Sequence, residues 1–405
     1  MKHKEKRIQE NKGITLIALV VTIVVLIILS TVSILAVFGD NGIIARAQDA
    51  KSMHEEGKKT ESDSLDNYTD YVNNFLQNWD LDKVNKVKSE DNIVVPVPKG
   101  YVASTVEGEK SVSSGFVIKE GNDGSKTSGI NEFVWVPVSN ISDIYDEANN
   151  AGQLWDFRGT TSTKRTYPTT QNSDYREPDV VTNASVGSDS SSGSSYDAVS
   201  TNLQQAGMSS TATASTFKTQ LQNEFNEMIN SVKIYKGFYI GRYETGNLSQ
   251  TKAVVQKNNT DIGSQTWYTM YKICKTIKAN ENVATSMIWG CQWDATLRWM
   301  QTSTNSEVAN FPTNSTGKGN FDETDNYNGT RIPTGSNSSY SVNNIYDMAG
   351  NVDDWTIEAH RTVARVLRGG NYSNRASSYP GGSRPGIIPD YSGSDTGCRS
   401  TLYVK

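Results

Sequence analysis

The sequence predicts an α+β protein: a long N-terminal transmembrane helix followed by a loop-rich globular head. Three observations lead there. No charged residue occurs from Ile14 to Phe38. As a helix that stretch spans about 37 Å, enough to cross a hydrocarbon core, and helix is the one single-segment structure that satisfies its own backbone in lipid. From about Asn92 onward, short runs rich in β-branched and aromatic residues alternate with turn residues, as in NIVVPVP, GFVIKEG, FVWVPVS and GFYIGRYETG. Between them, TFKTQLQNEFNEMINSVKIY places Phe217, Leu221, Phe225, Met228, Ile229 and Val232 at helical spacing.

Composition narrows the function classes. The 405 residues carry 39 basic against 44 acidic side chains, a net charge of −5. That balance has no electrostatic footprint for nucleic acid. The three cysteines, Cys274, Cys291 and Cys398, form no C-x-x-C pair, which removes a zinc ribbon or a thioredoxin-like site. Cys274 and Cys291 either pair in an oxidising compartment or stay as buried thiols. Of the three histidines only His360 lies in the head. A His-rich metal site is excluded there, and a Ser–His–Asp triad would have to use that one residue.

Along the chain, residues 1–13 carry Lys2, Lys4, Lys6, Arg7 and Lys12 against Glu5 and Glu10. Positive segments before a span stay cytoplasmic, so a single pass is expected over 14–38, with the head extracellular. A plain anchor fits. A cleaved signal peptide needs a shorter apolar run, although Ser33 and Ala36 offer small residues. Residues 39–91 read as a helical stalk. Gly39-Asp40-Asn41-Gly42 interrupts the helix. Ile43, Ile44, Ala47 and Ala50, then Tyr68, Tyr71, Val72, Phe75 and Leu76, supply a weak apolar stripe, and the charges from Glu55 to Glu61 a solvated face. The head is expected over 92–405, with a Ser/Thr-rich insertion at about 159–215.

The junction GITLIALVV, after a short basic leader, resembles the class III signal of type IV pilins and pseudopilins. The resemblance implies that a prepilin peptidase cuts between Gly13 and Ile14 and methylates Ile14. It also implies that the helix packs against other pilin subunits and the head can stand on an assembled pilus. The family's fifth mature residue is Glu; here it is Ala18. An intramembrane carboxylate is costly unless paired, so its loss removes an intersubunit contact and suits a minor or tip subunit.

The head carries FVWVPV, GFYIGRYETG (237–246), GCQWDATLRWM (290–300), NIYDMAGNVDDWT (344–356), RVLRGGNYSN (365–374) and GCRSTLYV (397–404), in that order. Together, over roughly 131–405, they resemble the formylglycine-generating enzyme, or sulfatase-modifying factor, family. The resemblance implies a C-type-lectin-like α+β fold. Trp289, Trp293, Trp299 and Trp355 are expected in its core. The family's oxidases hold copper on two cysteines after R-G-G; alignment on Arg368-Gly369-Gly370 puts Asn374 and Tyr379 there. Neither supplies the soft thiolate that copper(I) requires, so no copper and no enzyme of this kind is expected. A related ergothioneine-synthesis branch needs histidines that this chain lacks. Cys398 replaces the Phe of G-F-R, a packing position.

By the same resemblance Asn351, Val352 and Asp354 are candidate calcium ligands, with Asp353 an added ligand or an exposed side chain. Calcium takes hard oxygens, and a polar turn capped by Asp and Asn explains the residues equally. The remaining expectation is binding. Residues 371–395 mix Tyr, Asn, Ser, Asp and Arg, a recognition-loop composition. Tyr372, Asn374, Arg375, Tyr379, Arg384, Asp390 and Tyr391 are the candidate contacts for a ligand on a host or cell surface. The segment also resembles the diversified region of variable proteins made by diversity-generating retroelements. The alternative is a purely structural pilus or pseudopilus subunit, whose head only caps or packs the fibre.

Overall fold

The computed structural model describes residues 16–38, 43–58, 79–158, 161–170, 174–182, 196–249, 252–260, 262–277, 280–302, 309–323 and 329–405. Gly13, Ile14, the expected break at 39–42 and the stalk positions Tyr68 to Leu76 lie outside them. The chain forms two compact units, Met1–Leu76 and Gln77–Lys405.

The first unit holds helix α1 (Leu16–Phe38) and helix α2 (residues 43–58). Helix α1 is long and apolar enough to cross a membrane. Its side chains from Leu16 to Ile34 are exposed on every face. Its hydroxyls are satisfied internally: Thr22, Ser30, Thr31 and Ser33 donate to the carbonyls of Ala18, Ile27, Ile27 and Leu29 at 2.7–2.8 Å. That is how polar side chains are tolerated in an apolar medium.

The head begins earlier than the sequence suggests. Residues 79–91, expected as stalk, belong to it. Strand β1 (Val84–Lys88) pairs antiparallel with β2 (Val94–Pro98), and Trp79 is buried and donates to the Ile234 carbonyl at 3.1 Å. VNKVK buries only Val84 fully, so its apolar signal is too thin to stand out.

In chain order follow β3 (Tyr101–Ala103), β4 (Val117–Glu120), β5 (Glu132–Pro137), β6 (Tyr175–Arg176), α3 (Ser200–Gln205), α4 (Ala214–Tyr235) and β7 (Gly237–Gly241). Then come α5 (Trp267–Cys274), β8 (Val283–Met287), α6 (Gly290–Thr302), β9 (Asp353–His360), β10 (Ala364–Arg368), β11 (Gly386–Ile387), β12 (Thr396–Cys398) and β13 (Ser400–Val404). One sheet has the order β8-β13-β7-β5-β4-β3, antiparallel throughout. A second runs β6-β9-β10-β11, with β12 parallel to β9.

Helix α4 covers the first sheet, touching β7 and β13. Thr213 and Thr216 cap its start reciprocally, and Lys236 ends it in the left-handed region at φ 64°. It buries all six residues expected from the spacing, each contributing about 1.5–3 kcal/mol by leaving water. Trp289, Trp293 and Trp355 are fully buried and Trp299 partly so.

Part of the segment read as an insertion enters the core: residues 176–181, with Asp197, Leu203 and Ala206, are buried. Strand β6 pairs with the end of β9, Leu203 of α3 is buried, and Glu177, Asp179 and Asp197 are wholly enclosed. Each carboxylate side chain there meets a partner from elsewhere. Asp197 accepts from Arg365 at 2.9 Å and from Tyr268 at 2.6 Å. Glu177 accepts from the N–H groups of Gly290 and Cys291 at 2.7 and 2.6 Å. Asp294 on α6 accepts from Arg368 at 2.5 Å and also from Arg384. Asp294→Ala takes the carboxylate from buried Arg368 and leaves Arg384 with Glu358 alone, and the free energy of unfolding should fall by about 3–5 kcal/mol. Denaturant titration reads this; a loss below about 1 kcal/mol, the range of surface pairs, contradicts the arrangement.

Candidate functional site

A cleft of about 760 Å³ opens on the head, lined by residues from six separate stretches of chain, Pro312 and Thr313 forming one of them. Trp155, Asp156, Phe157 and Arg158 come from the first, Arg165 and then Asp174 and Tyr175 from the next two. His360 and Arg361 turn the chain from β9 into β10, and Ser377 to Pro385 close the far side.

The floor is built on the buried ion network. Trp155 donates its backbone N–H to Asp294 at 2.8 Å and its indole N–H to the Asp143 carbonyl at 2.8 Å. The Arg298 guanidinium sits 3.5 Å from the ring centroid. Arg384 donates to Asp294, to Glu358 at 2.8 Å and to the Trp155 carbonyl at 3.3 Å. Tyr175 stacks on His360 with centroids 4.5 Å apart and donates its hydroxyl to the Arg384 carbonyl at 3.0 Å. Arg165 and Arg384 lie 4.9 and 5.2 Å from the Tyr175 ring. Gly386 permits the His360 position, because a Cβ there would stand 2.6 Å from Nδ1.

The rim is cationic. Arg158 is 82% exposed and pairs with Asp156 at 2.6 Å. Arg361 is exposed, held at φ 56°, and its N–H donates to the Asp174 carbonyl at 3.1 Å. Arg165 spans Asp156 and Asp174, each at 3.3 Å. The hydrogen bonds from Arg158, with the charge of Arg165, hold the Asp156 carboxyl below its usual range. Burial, then the charge of Arg361, lowers the His360 pKa, favouring a neutral ring near pH 7.

Behind the floor, Glu177 and Glu358 meet at the start of α6. Gly290 is required there, because a Cβ would lie 2.3 Å from Glu358 Oε2. That Oε2 has no hydrogen-bond partner among the described residues. Burial, then the neighbouring Glu358 charge, pushes Glu177 up to about 7.

The expected binding residues do not converge on this cleft. Of the seven, only Arg384 lines it, and its side chain is a buried ion-pair member, 6% exposed, rather than a surface contact. Tyr379 and Arg375 are exposed on the neighbouring surface, as is Asp390, and Tyr372 is half-buried. Tyr391 donates to Asp395 at 3.1 Å. Asn374 is half-buried and its side chain accepts from the Asn371 N–H at 3.0 Å. Asn374 and Tyr379 do not fit a two-thiolate copper site. The cleft's aromatic and arginine walls, Trp155 to Tyr175, come from polar sequence without periodicity; only clustering of Trp, Phe, Tyr and Arg marks them.

Two of the oxygens expected to hold calcium, Asn351 Oδ1 and Asp354 Oδ2, have other partners. Asn351 Oδ1 accepts from the Ile332 N–H at 3.0 Å and Asn320 Nδ2 at 3.2 Å, while Asn351 Nδ2 donates to Glu244 at 2.6 Å. The Val352 N–H also donates to Glu244, and Asp354 accepts from Arg399 at 3.2 Å. Calcium held by Asn351 Oδ1 would have to displace its two hydrogen bonds, whereas Asp354 Oδ1 accepts none among the described residues. Asp353 is buried rather than exposed, accepts from Asn371 at 2.7 Å, and is pushed up to about 7 by burial. The cysteines follow the second of the two expectations: all three are free, buried thiols. Cys274 lies beside Cys398, sulfurs 3.4 Å apart, and Cys291 lies beside Glu177.

The raised carboxyls set a pH dependence. An unfolded Glu releases its proton near pH 4.3, whereas folded Glu177 keeps it to about 7. Between those values the folded chain binds the extra proton, so stability is highest below the window and is lost as pH rises through it. His360 acts in the opposite sense. The difference between the parent and Glu177→Gln isolates the effect: lowering pH from 8 to 6 should raise the parent's melting temperature more than the variant's. Equal pH responses contradict the shift.

No curated protein matches the chain. Solved structures similar to it include the following three. That of CarF has 13% identity and a TM-score of 0.33, and covers 42% of this chain and 87% of its own. PvdO from Pseudomonas aeruginosa has 15% identity and a TM-score of 0.27, with 42% and 82% covered. Treponema denticola variable protein 1 has 16% identity and a TM-score of 0.27, with 69% and 98% covered. Residues 294–402, from Asp294 of the buried network to β13, match the sulfatase-modifying factor enzyme 1-like domain family model, and the head carries a domain of that kind.

Proposed function

We propose that the chain is a non-catalytic surface-binding protein: a sulfatase-modifying-factor-like head of lectin type, held outside the cell by a pilin-like helix. The cleft carries the reading. Its rim presents Arg158 and Arg361 to solvent, a combination that suits a polymer bearing carboxylates. Guanidinium groups bind carboxylates through paired, charge-assisted hydrogen bonds. Asn374 and Tyr379 in place of a thiol pair support binding without oxidation. The motif at Gly13–Ile14 and the apolar surface of α1 support processing by a prepilin peptidase and packing among pilin subunits, as a minor or tip subunit given Ala18.

Full-length protein in detergent should bind immobilised polygalacturonate more tightly than neutral dextran. Binding should weaken with salt and fall at least about tenfold in Arg158→Glu/Arg361→Glu, each charge reversal being worth about 1 kcal/mol or more at a charge-assisted contact. Equal retention on both polymers, or indifference to the substitutions, counts against the cleft. Exported protein should begin at methylated Ile14; an intact Met1 rejects the pilin route. A cysteine peptide incubated with the protein and copper should remain unmodified.

A further inference from the structure

The geometry points to a covalent cross-link between Cys274 and Cys398. Cys274 ends α5 and Cys398 ends β12. Their sulfurs stand 3.4 Å apart, and both residues are 0% exposed. The pair is separated by 124 positions in sequence, so nothing local forces the contact. It arises because α5 packs against β12 and β9. The neighbouring Thr245 N–H donates to the Cys398 carbonyl at 2.8 Å, and β12 is held parallel to β9. Cys398 is thereby fixed in the backbone as well as through its side chain. Among the described residues no third His, Cys, Asp or Glu joins the two sulfurs in a group able to hold a metal. Two enclosed thiols in contact are the arrangement that oxidation converts to a disulfide.

The chemistry balances with a disulfide oxidant, either oxidised glutathione or a thiol–disulfide oxidoreductase. One cysteine thiolate attacks the oxidant's disulfide to give a mixed disulfide and release one thiol. The second cysteine then attacks the mixed disulfide and releases the other. Two protons and two electrons leave the protein, and the oxidant becomes two thiols. Burial governs the timing. The hydrogen bond from Cys274 and burial raise the Cys398 thiol above its usual range, and no oxidant reaches a sulfur with no exposed surface. The bond therefore forms while the chain is still open, and a head that folds reduced oxidises slowly. Once made, it closes a loop containing α6, β8, β9, β10 and β11, including His360, Arg361 and Arg384 of the cleft. This inference does not depend on what the cleft binds.

The test is alkylation and mass analysis of the full chain, refolded in detergent with a glutathione redox buffer. After denaturation without reductant, one cysteine should take the label; after reduction, three should. Proteolysis without reductant should give one linked pair, the Cys274 peptide joined to the Cys398 peptide. The same protein refolded fully reduced and then exposed to oxidised glutathione should label three times for hours. Cys291→Ser should keep the linked pair, and Cys398→Ser should lose it. Three labels after oxidative refolding, or a link that includes Cys291, overturns the assignment.

Discussion

Charge buried away from water has to be paired, and the head is arranged around one such requirement. Asp294 accepts from both Arg368 and Arg384, Arg384 also holds Glu358, and Glu358 faces Glu177 across the start of α6. An unpaired ion in that position would cost several kcal/mol. The positions of α6, β9, β10 and the segment around Arg384 are therefore mutually dependent. Arg365 with Asp197 and Arg399 with Asp354 repeat the device beneath the second sheet.

The cleft inherits that rigidity. Its floor, Trp155 and the Arg384 side chain, is bonded directly to Asp294. Its rim, Arg158 and Arg361, is exposed. The proposed recognition of an anionic polymer rests on that fixed floor and on those exposed guanidinium groups. The family's thiol chemistry would require soft ligands at Asn374 and Tyr379, and their side chains have other roles: one accepts a turn N–H and the other faces solvent.

What was legible in the sequence follows from periodicity and local motif. Helix α4 shows its buried face at intervals of three and four, and helix α1 is apolar throughout, so both read directly. RVLR and GCRS stand out only as parts of motifs, and nothing in them says that Arg365, Arg368 and Arg399 are buried, because a buried arginine is only tolerable with partners that lie far away in sequence. The same reason hid Glu177 and Asp197, single acidic anchors in a stretch whose Ser, Thr and Gly content signals a loop. The cleft draws on six separate stretches, so no local pattern could announce it. The contact of Cys274 with Cys398, rather than Cys291, depends on how α5 meets β12, a tertiary fact.

Hydrogen–deuterium exchange of the full chain with and without polygalacturonate probes the cleft most directly. Protection should rise in the segments carrying Trp155 to Arg158, Arg165, Tyr175, His360 to Arg361 and Ser377 to Arg384. Unchanged exchange in those segments, or protection confined to Tyr372 to Arg375, would place recognition elsewhere and contradict a cationic cleft on a buried ion network.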